Sequence, residues 1–403
     1  MPYNNHFIPY GRQWIDEEDI QAVVNVLRSD WLTQGPEIEK FENEIAAYCG
    51  ARHAVVFNSG TSALHGAYAA LGLGEGHEFI TTPITFAATA NAGVYLGAKP
   101  VFVDVEEETG NIDTSKIEAK ITKKTKLIIP VHYAGHPVEL FKINELAEKY
   151  DLFVVEDACH ALGARYRRQE AKGKGQKADE DDWIRIGSCK HSDMTAFSFH
   201  PVKHITTGEG GAVTTNNRDF YERLLMFRSH GITKKHLLNE PDGDWYYEMQ
   251  MQGYNYRMTD IQAALGKSQL IKLDSFVQKR RKIAGMYNKF FYGNPCFDVP
   301  GERGSSFSAY HLYPLRIKVK YKELKKAIVA GLKEKSIGTQ VHYIPVYRHP
   351  FYREMGYEKG LCPVAEDFYA GELSIPMYPA MSDEDASAVI SGVEQVFGKV
   401  CKL

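Results

Sequence analysis

HAVVFNSGTSAL, residues 53–64, passes from an unbroken apolar run into a turn of Asn, Ser and Gly and then into residues suited to a helix. A short apolar run bounded by turn residues fits a strand buried on both faces, with the glycine marking the change of element. The rhythm repeats downstream: EFITT precedes FAATANAGVYLG, and PVFVDV, KLIIPVHY and LFVVEDA follow as further apolar runs. Such alternation predicts an α/β fold with a mostly parallel sheet between helices. Upstream, Ile20, Val23, Val24 and Leu27 recur at helical spacing, and a second helix over residues 37–48 is expected to stop at Gly50. From Thr259 the texture changes to a long helical segment through Phe291, then strand-like YHLYPLRIKV, a helix over 321–335, TQVHYIP and a closing helix from Asp383. This predicts a large domain over residues 13–258 and a smaller carboxyl-terminal α/β domain with a mixed sheet over 259–403, near which the segment 1–12 packs. Residues 167–182, RRQEAKGKGQKADEDD, set a basic half before an acidic half and read as an exposed, charged insertion without chemistry.

At 403 residues with 44% apolar side chains, the chain can bury a sizeable core. Its formal net charge of −3 and the lack of a basic, aromatic-interleaved face speak against nucleic acid as partner. No uninterrupted apolar stretch approaches the ~18–20 residues that span a bilayer, and the amino terminus lacks the pattern of a secretory leader, so a cytoplasmic protein without membrane partner is expected. The six cysteines lack CxxC spacing; reduced thiols and no metal site are expected.

In open sheets of this type, ligands gather at the carboxyl ends of the strands. Four informative stretches follow strands. NSGTSAL offers backbone N–H groups at a helix start, a site for an anion such as phosphate, although the same residues also make an ordinary helix cap. VVEDACHALG ends a strand on Glu156 and Asp157, where a carboxylate serves a metal, a ribose or a protonated ring nitrogen, or else satisfies local backbone donors. Phe86 in ITFAATA reads by itself as a core residue. Lys203 in SFHPVKHITTGEGG sits among small and hydroxyl residues, whereas most lysines keep to charged, solvated surfaces. The glycine-rich LGLGEGHEF follows a helix and precedes a strand, the reverse of a dinucleotide fingerprint. Taken together, a phosphate cradle, an aromatic face, a carboxylate and a lysine on one rim are the parts that hold pyridoxal phosphate.

The motifs NSGTSAL, ITTPITFAATA, VVEDACHALGA, FSFHPVKHITTGEGGAV, FRSHGI, GYNYRMTDIQAALG and QVHYIPVY, in this order along nearly the whole chain, resemble the DegT/DnrJ/StrS sugar-nucleotide aminotransferases of the fold type I class. The resemblance implies a seven-stranded, mostly parallel sheet and a smaller second domain. It implies pyridoxal 5′-phosphate as cofactor, with its pyridoxamine (PMP) form in the cycle, and a homodimer with shared active sites. LTQGP, HALG and VHYIPVY are most similar to members acting in pseudaminic acid biosynthesis. Those transfer an amino group from L-glutamate to the 4-keto carbon of a UDP-linked 2-acetamido-2,6-dideoxy hexos-4-ulose. An aminotransferase for another nucleotide-linked keto sugar, and a non-catalytic regulator on the same fold, are the alternatives. Some relatives eliminate a hydroxyl instead and carry histidine where this chain has Lys203.

By this resemblance Lys203 tethers the cofactor's aldehyde and serves as acid and base, Asp157 pairs with the ring nitrogen, and Phe86 covers one ring face. His160, after Asp157, contacts the ring or its phenolic oxygen. Gly60, Thr61 and Ser198 hold the phosphate, and Asn255 reaches across the dimer to the partner's phosphate. Tyr10, Trp31, Leu32, Thr33, Gln34, Ser59, His342 and Tyr343 are implied as contacts to the sugar nucleotide.

Overall fold

The structure is a computed structural model, and it describes residues 7–168 and 182–402. The charged insertion over 167–182 lies, apart from its ends, outside the described residues.

Seven strands form the central sheet: β1 (His53–Phe57), β2 (Glu78–Thr81), β3 (Lys99–Phe102), β4 (Thr125–Ile129), β5 (Phe153–Asp157), β6 (Met194–Ser198) and β7 (Gly211–Thr215). Their spatial order is β1-β7-β6-β5-β4-β2-β3. From β6 to β3 every pairing is parallel, while β7 runs antiparallel to both β6 and β1. The apolar runs are continuous rather than alternating because both faces are covered. Val55, Phe57, Phe79, Leu127, Val155 and Met194 pack on one side, and Val56, Ile80, Ile128, Val154 and Ala212 on the other. Burying each of these Val, Leu, Ile, Phe and Met side chains stabilises the fold by about 1.5–3 kcal/mol relative to exposure.

The helix punctuation follows the sequence. Helix α1 (Glu17–Leu27) starts at Asp16 with a reciprocal capping box to Asp19. Helix α2 (Pro36–Cys49) begins with proline at its first position and ends at Gly50, whose φ of 76° lies in the left-handed region that glycine enters freely. Helix α3 (Gly60–Ala70) follows β1, and α4 (Ala88–Val94) follows β2.

Helix Asp260–Phe291, capped by Thr259, is 32 residues long and belongs to two cores. Ala263, Leu270, Leu273 and Val277 join the large core, whereas Ile283, Ala284, Tyr287 and Phe291 join the second one. The chain therefore changes core inside this helix, beyond the boundary expected at 258/259. Ile8 packs in the second core and bridges Ile337. The three-stranded sheet of the second part, Phe297–Asp298, Tyr313–Ile317 and Glu372–Ile375, is antiparallel at both pairings, which corrects the expected mixed sheet. Its third strand was not foreseen: ELSI is short and ends against proline, so it carries little period-2 signal. Among the described residues no helix is long and apolar enough to cross a membrane.

Candidate active site

A cavity of about 700 Å³ opens where β1, β2, β4, β5 and β6 end, and residues 340–344 of the second part of the chain form part of its wall. Of the residues expected to carry function, Tyr10, Ser59, Gly60, Thr61, Phe86, Asp157, His160, Ser198, Lys203, His342 and Tyr343 line it.

At the end of β1 the two readings of NSGTSAL hold together. Ser59 caps α3, its Oγ accepting the Ser62 N–H at 3.1 Å in a capping box. The N–H groups of Gly60 and Thr61, at the first turn, have no intrahelical partner and meet no acceptor among the described residues. A Cβ on Gly60 would lie 2.8 Å from Ser198 Cβ and 3.0 Å from its hydroxyl, so only glycine leaves this floor open. Two free donors, a helix N-terminus and a hydroxyl thus face one space, which suits a phosphate.

Residues at the end of β5 point alternately to opposite sides. Glu156 turns away from the cavity into a closed network: His132 Nε2 lies 2.8 Å from its Oε2, and Thr195 donates to its Oε1 at 2.7 Å. His132 Nδ1 accepts the Val138 N–H, so Nε2 carries the proton and donates to Glu156. Asp157, 5% exposed, faces the cavity. Its Oδ2 accepts the Thr89 hydroxyl at 2.6 Å and its Oδ1 the Cys159 N–H at 3.1 Å. Nothing local in the sequence marks Thr89, which lies in the first turn of α4 and whose hydroxyl also meets that of Thr85, in the turn before the helix, at 2.7 Å.

Lys203 Nζ enters the same cavity, and burial lowers its pKa; Arg280 lowers it further while Cys159 and Asp157 oppose. Its side-chain neighbour is His311 Nε2 at 3.5 Å. The imidazoles of His311 and His160 are 4.3 Å apart between centroids, and burial drives both far below the ordinary histidine range, so both are neutral. His160 Nε2 meets the Tyr343 hydroxyl at 3.0 Å, while its Nδ1 is buried without a partner among the described residues. Beneath Lys203 lies Arg280, fully buried. It donates to the carbonyls of Met377 at 2.8 Å and His311 at 3.1 Å and reaches Val202 at 3.5 Å. Burial pulls even this guanidinium down to about 9. His311 and Arg280 escaped the sequence reading because nothing local marks them.

Trp31, Leu32, Thr33, Gln34 and Asn255 do not line this cavity. Trp31 and Leu32 are exposed, and Thr33 bridges Thr259. Asn255 is exposed and its carbonyl accepts a 3.4 Å contact from Asn58, beside the turn that starts α3.

The sequence profile of the DegT/DnrJ/EryC1/StrS aminotransferase family matches residues 13–394. The chain belongs to this family. It is similar to the UDP-4-amino-4,6-dideoxy-N-acetyl-β-L-altrosamine transaminase of Campylobacter jejuni serotype O:2, at 40% identity over 98% of this chain and 99% of the relative. It is similar in structure to Helicobacter pylori PseC, an aminotransferase of pseudaminic acid biosynthesis, at TM-score 0.87 and 36% identity over 98% of this chain and all of PseC. The PLP form of a sugar aminotransferase from Streptococcus pneumoniae matches at TM-score 0.88 and 31% identity, covering 98% of this chain and 100% of its own. As a DegT-family aminotransferase the chain is an enzyme of amino transfer, and its seven-stranded sheet is that of these neighbours.

Proposed function

We propose that this DegT-family chain, with pyridoxal 5′-phosphate in the cavity, moves an amino group from L-glutamate to the 4-keto carbon of a UDP-linked 2-acetamido-2,6-dideoxy hexos-4-ulose, as a homodimer with shared sites. The observation that carries the reading is convergence: Lys203 Nζ, the Asp157 carboxylate and the unpaired N–H groups of Gly60 and Thr61 meet on one cavity. The residues fit the cofactor, since the open floor at Gly60 with the Ser198 hydroxyl suits its phosphate and a carboxylate held by Thr89 and Cys159 suits a protonated ring nitrogen. The likeness to the C. jejuni and H. pylori proteins supports the sugar nucleotide.

Bound pyridoxal phosphate supplies an aldehyde that takes up the amino group and a ring that draws off the electrons left behind when a proton departs. The chain supplies the rest. Asp157 would favour a proton on the ring nitrogen, and Thr89 fixes that carboxylate in place. Lys203 Nζ would hold the aldehyde and, when its amine is free, would serve as the base and acid that moves a proton at the donor carbon. Burial favours its neutral amine, the form able to accept. Phe86, 62% exposed, stands over the cavity where a ring is to be covered. Tyr343 and His160 brace each other on one wall, and His342 with Tyr10, ring centroids 5.6 Å apart, offers the contact to the sugar nucleotide.

The test begins with colour. Purified protein supplied with the cofactor is expected to show a visible absorbance band that borohydride removes, fixing the label on Lys203, and Lys203→Ala should lose both band and transfer. Incubation with L-glutamate and a panel of UDP- and dTDP-linked keto sugars then identifies the aminated product. Absence of product with the UDP-linked 4-keto sugar, beside turnover of another, would overturn the substrate while leaving the aminotransferase.

A further inference from the structure

Behind the cavity wall of residues 340–344 runs the strand Glu372–Ile375, and its Glu372 and Ser374 are both fully buried. Glu372 Oε2 accepts the His342 backbone N–H at 2.7 Å, Oε1 accepts the Ser374 hydroxyl at 2.6 Å, and Ser374 Oγ lies 2.9 Å from His342 Nδ1. The Tyr133 hydroxyl donates to the His342 carbonyl at 2.7 Å. His342 itself lines the cavity, and with Nδ1 engaged by Ser374 its Nε2 is the nitrogen left for a ligand.

One donor in this chain of contacts never reverses. A backbone N–H only donates, so Oε2 keeps an acceptor role, and Oε1 is the favoured seat of a carboxyl proton because the Ser374 oxygen can accept it there. With Glu372 ionised, the Ser374 hydroxyl donates to Oε1 and its oxygen accepts from His342; the imidazole proton is then on Nδ1 and Nε2 shows a lone pair. With Glu372 protonated, Oε1–H donates to Ser374, the Ser374 proton turns to Nδ1, and the imidazole proton moves to Nε2. Burial pushes the His342 pKa down to about 3, so the ring carries a single proton and must choose between the two nitrogens.

We propose that Glu372, acting through Ser374, sets the tautomer of His342 and thereby whether its cavity-facing nitrogen accepts a hydrogen bond from the sugar nucleotide or donates one to it. The inference rests on the reading of His342 as a sugar-nucleotide contact. An accepting Nε2 matches a hydroxyl or amide N–H of such a ligand; a donating Nε2–H matches a phosphate or keto oxygen. Burial raises the Glu372 carboxyl above the ordinary carboxylate range, which brings both states toward working pH. The charged and titratable groups around it are Lys325, which favours the ionised form, Tyr133, Tyr343 and His342. Arg316 is its register partner on the neighbouring strand.

The experiment uses the cofactor-loaded protein labelled with ¹⁵N-histidine, the His342 ring signals being assigned by their loss in His342→Gln. In the unmodified protein at alkaline pH the proton is expected on Nδ1, and acidification should move it to Nε2. In Glu372→Gln the amide oxygen must face the His342 N–H, so its NH2 faces Ser374 and the ring should stay protonated on Nε2 at every pH. Ser374→Ala should uncouple the ring from the carboxyl, removing the pH-driven change. In kinetics, Glu372→Gln is expected to change the sugar-nucleotide KM by about tenfold, the effect of one hydrogen bond, with the L-glutamate half-reaction unaltered. A ring that holds one tautomer in the unmodified protein across pH, the same one as in Glu372→Gln, overturns the switch; should Glu372→Gln not fold, the pH series and Ser374→Ala decide. An unchanged sugar-nucleotide KM in His342→Gln would instead remove His342 from the substrate, a separate failure that the tautomer measurement does not share.

Discussion

Lys203 has the properties a solvated lysine lacks. Taking an ammonium out of water disfavours its charged form, and Arg280 beneath the loop adds repulsion, while Asp157 and Cys159 pull the other way. Because the pKa is lowered, more of the side chain is neutral amine at any given pH. In cofactor-free protein, the rate at which Lys203 reacts with an amine reagent should therefore climb through a midpoint below the value of about 10.4 for a solvated lysine. A midpoint at or above that value would contradict the burial argument. Asp157 allows a second test, because Asp157→Asn keeps the shape while discarding the charge: its oxygen still accepts the Cys159 N–H and its NH2 meets the Thr89 hydroxyl, which can accept. Transfer should fall by roughly 10²–10³-fold, the scale of losing one charged stabilising group in an active site, with thermal stability close to that of the unmodified protein. An equal loss in Asp157→Asn and in a protein shown to be unfolded would make the effect structural.

Among the elements, strand–turn–helix units were the part most legible in sequence, since an apolar run followed by NSG or EDA reports a local event. Glu156 and Asp157 illustrate the limit: adjacent in sequence, they could not be told apart until the strand assigned them to opposite faces, one to His132 and Thr195, the other to the cavity. The first turn of α3 makes a sharp prediction. Gly60→Ala drives a methyl to within 2.8 Å of Ser198 Cβ, so the helix start must shift away from the hydroxyl with which it would share the proposed phosphate. Cofactor affinity, followed by the visible band on titration, should weaken by about tenfold or more, the loss of one charge-assisted hydrogen bond, while β1 and α3 remain folded. Helix Asp260–Phe291 carries another. Arg280 ties it to the backbone of Val202, His311 and Met377, and Arg280→Ala leaves buried carbonyls without donors. Unfolding in denaturant should show a loss of roughly 3 kcal/mol or more, from 1–3 kcal/mol per unsatisfied group.

At the scale of the whole molecule, the site is assembled from segments far apart in the chain, and this is what the sequence hid. Lys203 and His311 are 108 residues apart, and His160 and Tyr343 183 residues apart, so no local pattern relates them. Conversely, Trp31, Leu32 and Asn255 are exposed in the single chain and off its cavity, the arrangement expected of residues that serve a neighbouring copy. A shared site has a consequence that activity in mixtures can read. Under the proposed arrangement, Lys203→Ala would spoil only the cavity of the chain that carries it, whereas Asn255→Ala would spoil the cavity of the partner. Each variant alone should be impaired. In a mixed dimer, the chain with Asn255→Ala keeps its own Lys203 and receives the intact Asn255 of the other, so one site of two is whole. Co-refolding equal amounts should therefore restore about a quarter of wild-type turnover, since half the dimers are mixed and half their sites are complete. Activity no higher than the mean of the two separate variants would mean that Asn255 acts within its own chain or not at all.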